Sequence, residues 1–256
     1  MTRALFVIAI IVTGCKRPPD APNDLDALCG YLYAHALDED PAELEAGLDN
    51  LAAWLDTQLD ETLEGYTVSN LDQDTVDNLD EQTRDLDGLV GAAVGSESLH
   101  SAEDLLLALS IEDPMEVFPD AYEIYERTYV TDSDCFSDRS CDTLEVINYQ
   151  TVNYPLGLQV TSESTGQYRW AEPSIGLSGI QRTWMNGPAT VNVEWLDVEE
   201  QYYLNTFIPL GETTIRLQAT WVIAEVSSSD VPENLALTTV VSTMQAWSED
   251  LDAYLD

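Results

Sequence analysis

The sequence predicts an α+β fold, with N-terminal helices followed by an antiparallel β-sheet covered by a long C-terminal helix. Three observations carry that expectation. Up to about residue 64, apolar side chains recur at spacings of three and four, as on one face of a helix. From about Tyr122 apolar and polar residues alternate, as in half-buried strands. After the segment SSSDVP the helical spacing returns and runs to Asp256.

Residues 25–64 read as a helical hairpin. In the first helix Leu25, Leu28, Cys29, Leu32 and Ala36 share a face. The second has a clear start: Asp40 can cap, Pro41 suits the first turn, and Glu43 completes a capping-box-like pattern. Its stripe is Leu44, Leu48, Leu51, Leu55 and Leu59, with Trp54 at the edge and Gly65 as the stop. Residues 65–71 read as a short strand. A polar helix follows, with Val76, Leu79, Thr83, Leu86 and Leu89 on one face, and VGAAVGS reads as its break. Ser101 then caps a short helix over 102–110.

The alternating half gives strands over 122–131, 143–153, 157–162, 167–171, 189–196, 202–208 and 213–226, with Gly166, Gly187 and Gly211 in the turns. In the last strand Ile215, Leu217, Ala219, Trp221 and Ile223 line one face. Thr214, Arg216, Gln218 and Thr220 line the other, so the strand is expected to be half-buried. The C-terminal helix carries Leu237, Val240, Val241, Met244, Trp247 and Leu251 on one stripe. At roughly 36 Å it must lie across an apolar surface, and the sheet is the expected partner.

The chain has 48 acidic residues against 9 basic ones, a net charge of −39. Such a surface repels nucleic acid and anionic headgroups. The apolar fraction of 45% supports a sizeable core. The acidity is uneven, with 33 acidic side chains in residues 20–142 and 15 in residues 143–256.

The N-terminus reads as a targeting segment. Arg3 precedes nine apolar residues, Ala4 to Val12, too few to span a bilayer. Val12-Thr13-Gly14-Cys15 resembles the lipobox of bacterial lipoproteins, with Val12 where leucine is commoner. The resemblance implies a signal peptide over 1–14, lipidation of Cys15, and a membrane contact through that lipid anchor. Residues 15–24, proline-rich after Cys15, would form an extended tether. Lys16, where aspartate would favour inner-membrane retention, implies the outer rather than the inner membrane of the envelope.

Three further cysteines remain. In an oxidising compartment Cys135 and Cys141, in DCFSDRSC, are the natural disulfide pair, closing a hairpin. Cys29 reads as a buried thiol, and its pairing with another cysteine stays open.

The α+β unit over 65–256 has the element order strand, two helices, about six strands and a long helix. That order is similar to the helix-grip fold of START-like lipid-transfer and polyketide-cyclase-like proteins. The resemblance implies a sheet curled around the C-terminal helix and an enclosed apolar cavity. A plain two-layer domain with a filled core is the principal expectation.

Catalytic motifs are sparse. His35 and His100 have no partner motif, and GLSGI is not a nucleophile elbow. The acidic runs 72–81 and 132–142 lack the glycine and terminal glutamate of a calcium loop, and helix capping accounts for the first. No cofactor or metal is implied. Aromatic residues crowd the strand half, and Trp221, Trp195 and Tyr202 are the candidate ligand-facing residues. Arg169, Arg182 and Arg216 are expected to neutralise neighbouring carboxylates, unless one faces inward to hold an anionic headgroup. The sequence thus reads as an acyl-anchored envelope lipoprotein with a non-enzymatic binding or structural module. The alternatives are a binder of lipid or another apolar ligand and, less favoured, an envelope hydrolase using carboxylates.

Overall fold

The computed structural model describes residues 20–80, 82–227 and 235–256. Cys15 and the signal-like segment lie outside the described residues. The element order is α1 (Leu25–His35), α2 (Ala42–Gln58), β1 (Tyr66–Val68), α3 (Gln73–Asp77), β2 (Val90–Ser98), α4 (Ala102–Ser110), β3 (Tyr122–Tyr129) and α5 (Ser133–Ser137). It continues with β4 (Thr143–Tyr154), β5 (Leu158–Ala171), β6 (Ser178–Met185), β7 (Thr190–Val191), β8 (Leu196–Leu210), β9 (Thr213–Val226) and α6 (Leu235–Leu255). The expected fold class is the observed one.

The strands form one antiparallel sheet in the order β1-β2-β9-β8-β6-β5-β4-β3, with β7 paired to β5. Helices cover both faces. On one face Ile215, Leu217, Ala219 and Trp221 join Leu28, Leu32, Leu48 and Leu51 of α1 and α2 in a single apolar core. On the other, α6 crosses the sheet and buries Met244 and Leu251, while α4 packs beside it. The strand β9 is therefore buried on both faces, not half-buried. Its polar row, Thr214, Arg216, Gln218 and Thr220, is at most 3% exposed. That row faces α6: Gln218 Nε2 donates to Met244 O at 2.9 Å and to Ser248 Oγ at 2.8 Å.

The helical hairpin is locked down by polar contacts. Arg182 donates to the carbonyl oxygens of Tyr33 and Ala34 at 3.0 and 3.5 Å. Arg169 donates to those of Ala36 and Asp38. Both guanidinium groups thus satisfy the open carbonyl end of α1, where positive charge is favoured. These strand arginines do not neutralise carboxylates as the sequence suggested; they bind backbone. At the other end Asp26 accepts from the amides of Ser69 and Asn70 at 2.6 and 2.8 Å. Gly30 permits this close approach, since a Cβ there would stand 2.2 Å from Asn70 O.

Several elements differ from expectation for identifiable reasons. VGAAVGS is a strand, not a break: its small residues fit where a Cβ on Gly95 would meet Thr62 Oγ1 at 2.4 Å. Gly166 lies inside the continuous strand β5, not in a turn, and packs beside Val146. The polar helix shrinks to α3. The chain after it is pinned by Arg84, which pairs with Asp80 at 2.6 Å and with Glu200. β6 is an additional strand, lying between flanking glycines and proline, and of the 189–196 segment only Thr190, Val191 and Leu196 have strand partners, Leu196 as the first residue of β8. Asp72 and Asp132 each cap a short helix. The second acidic run therefore forms a helical turn, α5, rather than a hairpin. Cys135 and Cys141 are bridged across it, with Cα atoms 5.4 Å apart. Cys29 is fully buried and free, and burial, then Asp26 and Asp24, push its thiol far up.

Candidate ligand-binding site

The polar face of the sheet and α6 do not close completely on one another. Between them lies a cavity of about 110 Å³. The alternation of the strands selects its walls. Tyr203 and Asn205 on β8 and Gln181 and Thr183 on β6 point into it, while their neighbours Tyr202, Leu204 and Ile180 belong to the core shared with α1 and α2. Met244 and Trp247 of α6 form the roof. Phe118 and Tyr122 close one end, and both rings lie about 6 Å from that of Trp247, at 5.8 and 6.0 Å.

A hydrogen-bonded belt crosses the cavity wall from strand to strand. Arg216 Nε donates to Asn205 Oδ1 at 3.0 Å, and Asn205 Nδ2 donates to Gln181 Oε1 at 2.7 Å. Gln181 Nε2 then donates to Tyr168 Oη at 3.2 Å, which also accepts from Arg127 Nη2 at 3.1 Å. Arg127 is otherwise saturated. It binds Asn148, Tyr125 and the carbonyl oxygens of Leu109 and Ile111, which anchors the end of α4. Arg216 is not saturated. Its Nη1 donates to Trp247 O at 3.1 Å, while Nη2 donates to no carbonyl or amide oxygen among the described residues. Ser164 Oγ, buried and also on the cavity wall, has no partner either.

Burial sets the protonation of these groups. It pushes Tyr125 and Tyr154 up to about 12 and raises Tyr168 and Tyr203, so the cavity tyrosines remain neutral donors. Burial also works against the charge on Arg216, opposed by the Tyr203 phenol, which is close enough to hydrogen-bond it, and by Asp252. Among the described residues that line the cavity there is no histidine, cysteine, lysine or carboxylate.

Next to the cavity is a smaller apolar annex of about 60 Å³, lined by Leu158, Val160, Leu196, Val198 and Val222. Tyr154, Gln201 and Val240 line both spaces. Of the three candidate residues, Trp195 lines this annex. Trp221 and Tyr202 do not face the cavity; they pack against Tyr33 of α1, with ring centroids 5.7 and 6.1 Å away. Periodicity separates the two faces of β9: the apolar row with Trp221 packs on α1 and α2, and the polar row lies toward the cavity. The residues that build the wall, Asn205, Gln181, Tyr168 and Arg127, carry no local motif. Only strand pairing brings them together.

His35 sits 2.6 Å from Asp38 and His100 3.4 Å from Asp256, both away from the cavity.

No protein-family model matches the chain, and no curated protein matches it. Solved structures similar to it include a START superfamily protein from Mycobacterium smegmatis, at 12% identity and a TM-score of 0.40 over 64% of this chain and 94% of that one. A STAR-related lipid transfer protein from Xanthomonas axonopodis is similar at 14% identity and 0.43, over 67% and 96% of the two chains. Norcoclaurine synthase from Thalictrum flavum, in complex with dopamine and hydroxybenzaldehyde, is similar at 12% identity and 0.41, over 70% and 95%.

Proposed function

We propose that this chain is a binding protein for a small amphiphilic molecule, held between the sheet and α6, and that its N-terminal cysteine anchors it to the cell envelope. The observation that supports the binding reading is the cavity itself. The polar row is hydrogen-bonded to α6 through Gln218 and Arg216, yet the space beside these contacts is left unfilled in an interior that otherwise packs closely. A wall of aromatic bodies with a few oriented polar groups suits small-molecule recognition. The volume sets the scale: cavities of about 150 Å³ accept a single benzene ring, a size that the cavity of about 110 Å³ reaches only together with the adjoining annex of about 60 Å³. The anchor rests on Val12-Thr13-Gly14-Cys15 alone.

Ser164 supplies the test, because its hydroxyl faces the cavity without a hydrogen bond to lose. Calorimetric titration of the full chain with phenol and with indole should show saturable binding of one equivalent, lost in a folded Ser164→Leu variant that fills the space. No binding of either ring, or unchanged binding in the filled variant, would contradict the reading. For the anchor, Cys15→Ser should release the chain from the membrane fraction and remove the acyl mass. Unchanged fractionation and mass would overturn it.

A further inference from the structure

We infer that the cavity selects an organic anion, a small carboxylic acid with a single-ring or short-chain body, whose carboxylate sits against Arg216. The inference rests on the binding reading above and names the class of ligand.

The first ground is an inversion of charge. The chain carries a net charge of −39, with 48 acidic residues available. Yet the cavity is lined by two guanidinium groups, Arg127 and Arg216, and by no carboxylate among the described residues. Elsewhere Arg84 and Arg139 do pair with carboxylates. Arg169 and Arg182, also without a carboxylate partner, are held by carbonyl pairs at the end of α1, whereas Arg216 meets a single carbonyl, that of Trp247.

The second ground is that the two arginines are not equivalent. Arg127 has its donors occupied by a carbonyl pair, an amide and two phenols. Arg216 is 2% exposed; Nε and Nη1 are engaged, Nη2 donates to no carbonyl or amide oxygen among the described residues, and the Tyr203 phenol lies against the guanidinium. Its nearest acidic influence, Asp252, is engaged with Ser98 Oγ at 2.6 Å. The belt from Arg216 through Asn205 and Gln181 to Tyr168 fixes the guanidinium plane. A planar donor held rigid on the cavity wall, with Nη2 to spare, matches one oxygen of a carboxylate.

The third ground is the gradient of polarity. The annex, lined by valine and leucine, lies beyond Gln201 and Val240, toward the Val222 end of β9. Arg216 and Val222 share a face of β9, six residues and therefore roughly 20 Å apart. An acid held at Arg216 would turn its apolar body toward Trp247 and the annex. A single spare guanidinium nitrogen and a cavity of about 110 Å³ suit a monoanion of modest size rather than a diacyl lipid.

The test compares phenylacetate with phenylacetamide, equal in shape and different in charge, by calorimetric titration of the full chain. The acid should bind about tenfold or more tightly than the amide, as charge-assisted hydrogen bonds outweigh neutral ones. In Arg216→Gln, with folding checked by circular dichroism, that preference should vanish. Equal or tighter binding of the amide would overturn the inference while leaving the cavity reading intact. Binding of neither probe would overturn both. A preference that survives in folded Arg216→Gln would remove Arg216 from the role. If the variant does not fold, the ratio in the unaltered chain decides.

Discussion

The two faces of the sheet are made from the same strands, residue by alternate residue, yet they are built to different ends. Trp221, Leu217 and Ile215 meet α1 and α2 in an apolar core in which Leu28, Leu32, Leu44, Leu48 and Leu51 are fully buried. Arg216, Gln218 and Thr220, their immediate neighbours, meet α6 across hydrogen bonds and a residual space. The first face is filled and supplies stability. The second is polar and leaves a space beside Arg216 and Ser164, whose Oγ has no hydrogen-bond partner among the described residues; the first holds the buried Trp221 Nε1 unpartnered but no comparable space. A sheet covered by helices on both sides can thus use one side as a foundation so that the other need not be optimally packed.

This contrast can be broken most severely at Trp221. Trp221→Ala should cost about 3–5 kcal/mol, the usual range for a large aromatic side chain removed from a core. Urea denaturation would measure it, and a loss under 1 kcal/mol would mean that the α1–α2 face is not the foundation described. Gly30→Ala probes the same face through the backbone, since its Cβ would collide with Asn70 O. A loss of about 1–3 kcal/mol is expected, and a neutral effect would show that α1 can move off the 65–71 segment freely.

Alkali probes the cavity face. Tyr125 and Tyr154 are held near 12, against an ordinary value of 10.0. Their folded values are raised, so their contribution is fully present below pH 10 and is lost as pH climbs from about 10 to about 12, where only the unfolded chain releases those protons. Denaturation midpoints followed across that window should fall with pH, and a flat profile would show that these phenols are not buried. The smallest effect is expected at Ser164. Ser164→Ala removes a buried hydroxyl that has no partner, so stability should stay within about 0.5 kcal/mol or rise. A loss near 2 kcal/mol would mean that Oγ is satisfied in the protein.

Much of the foundation was legible in the sequence. Leucine at spacings of three and four, a caps-and-stops vocabulary and the alternation of β9 were enough to place α1, α2, α6 and the C-terminal strands. The strand β2 was not legible, because the glycines and alanines that let it lie against Thr62 and Trp221 look like a helix break. The cavity was half legible. The two rows of β9 were separated correctly, but a polar row ordinarily faces water, and only the position of α6 shows that this one faces a chamber. The belt from Arg216 to Arg127 spans β9, β8, β6, β5 and β3, residues that strand order alone makes neighbours.

The central claim is that the ligand enters the α6 face and not the α1–α2 face. Fluorotryptophan labelling followed by fluorine NMR tests it directly, because the 6 tryptophans are divided between the two sides. Trp247 roofs the cavity, while Trp221 and Trp54 lie in the opposite core. On titration with phenylacetate or phenylacetamide, with resonances assigned by single Trp→Phe variants, the Trp247 signal should move and saturate while those of Trp221 and Trp54 stay fixed. Movement of Trp221 or Trp54 with Trp247 unchanged, or no movement of any signal, would contradict the account.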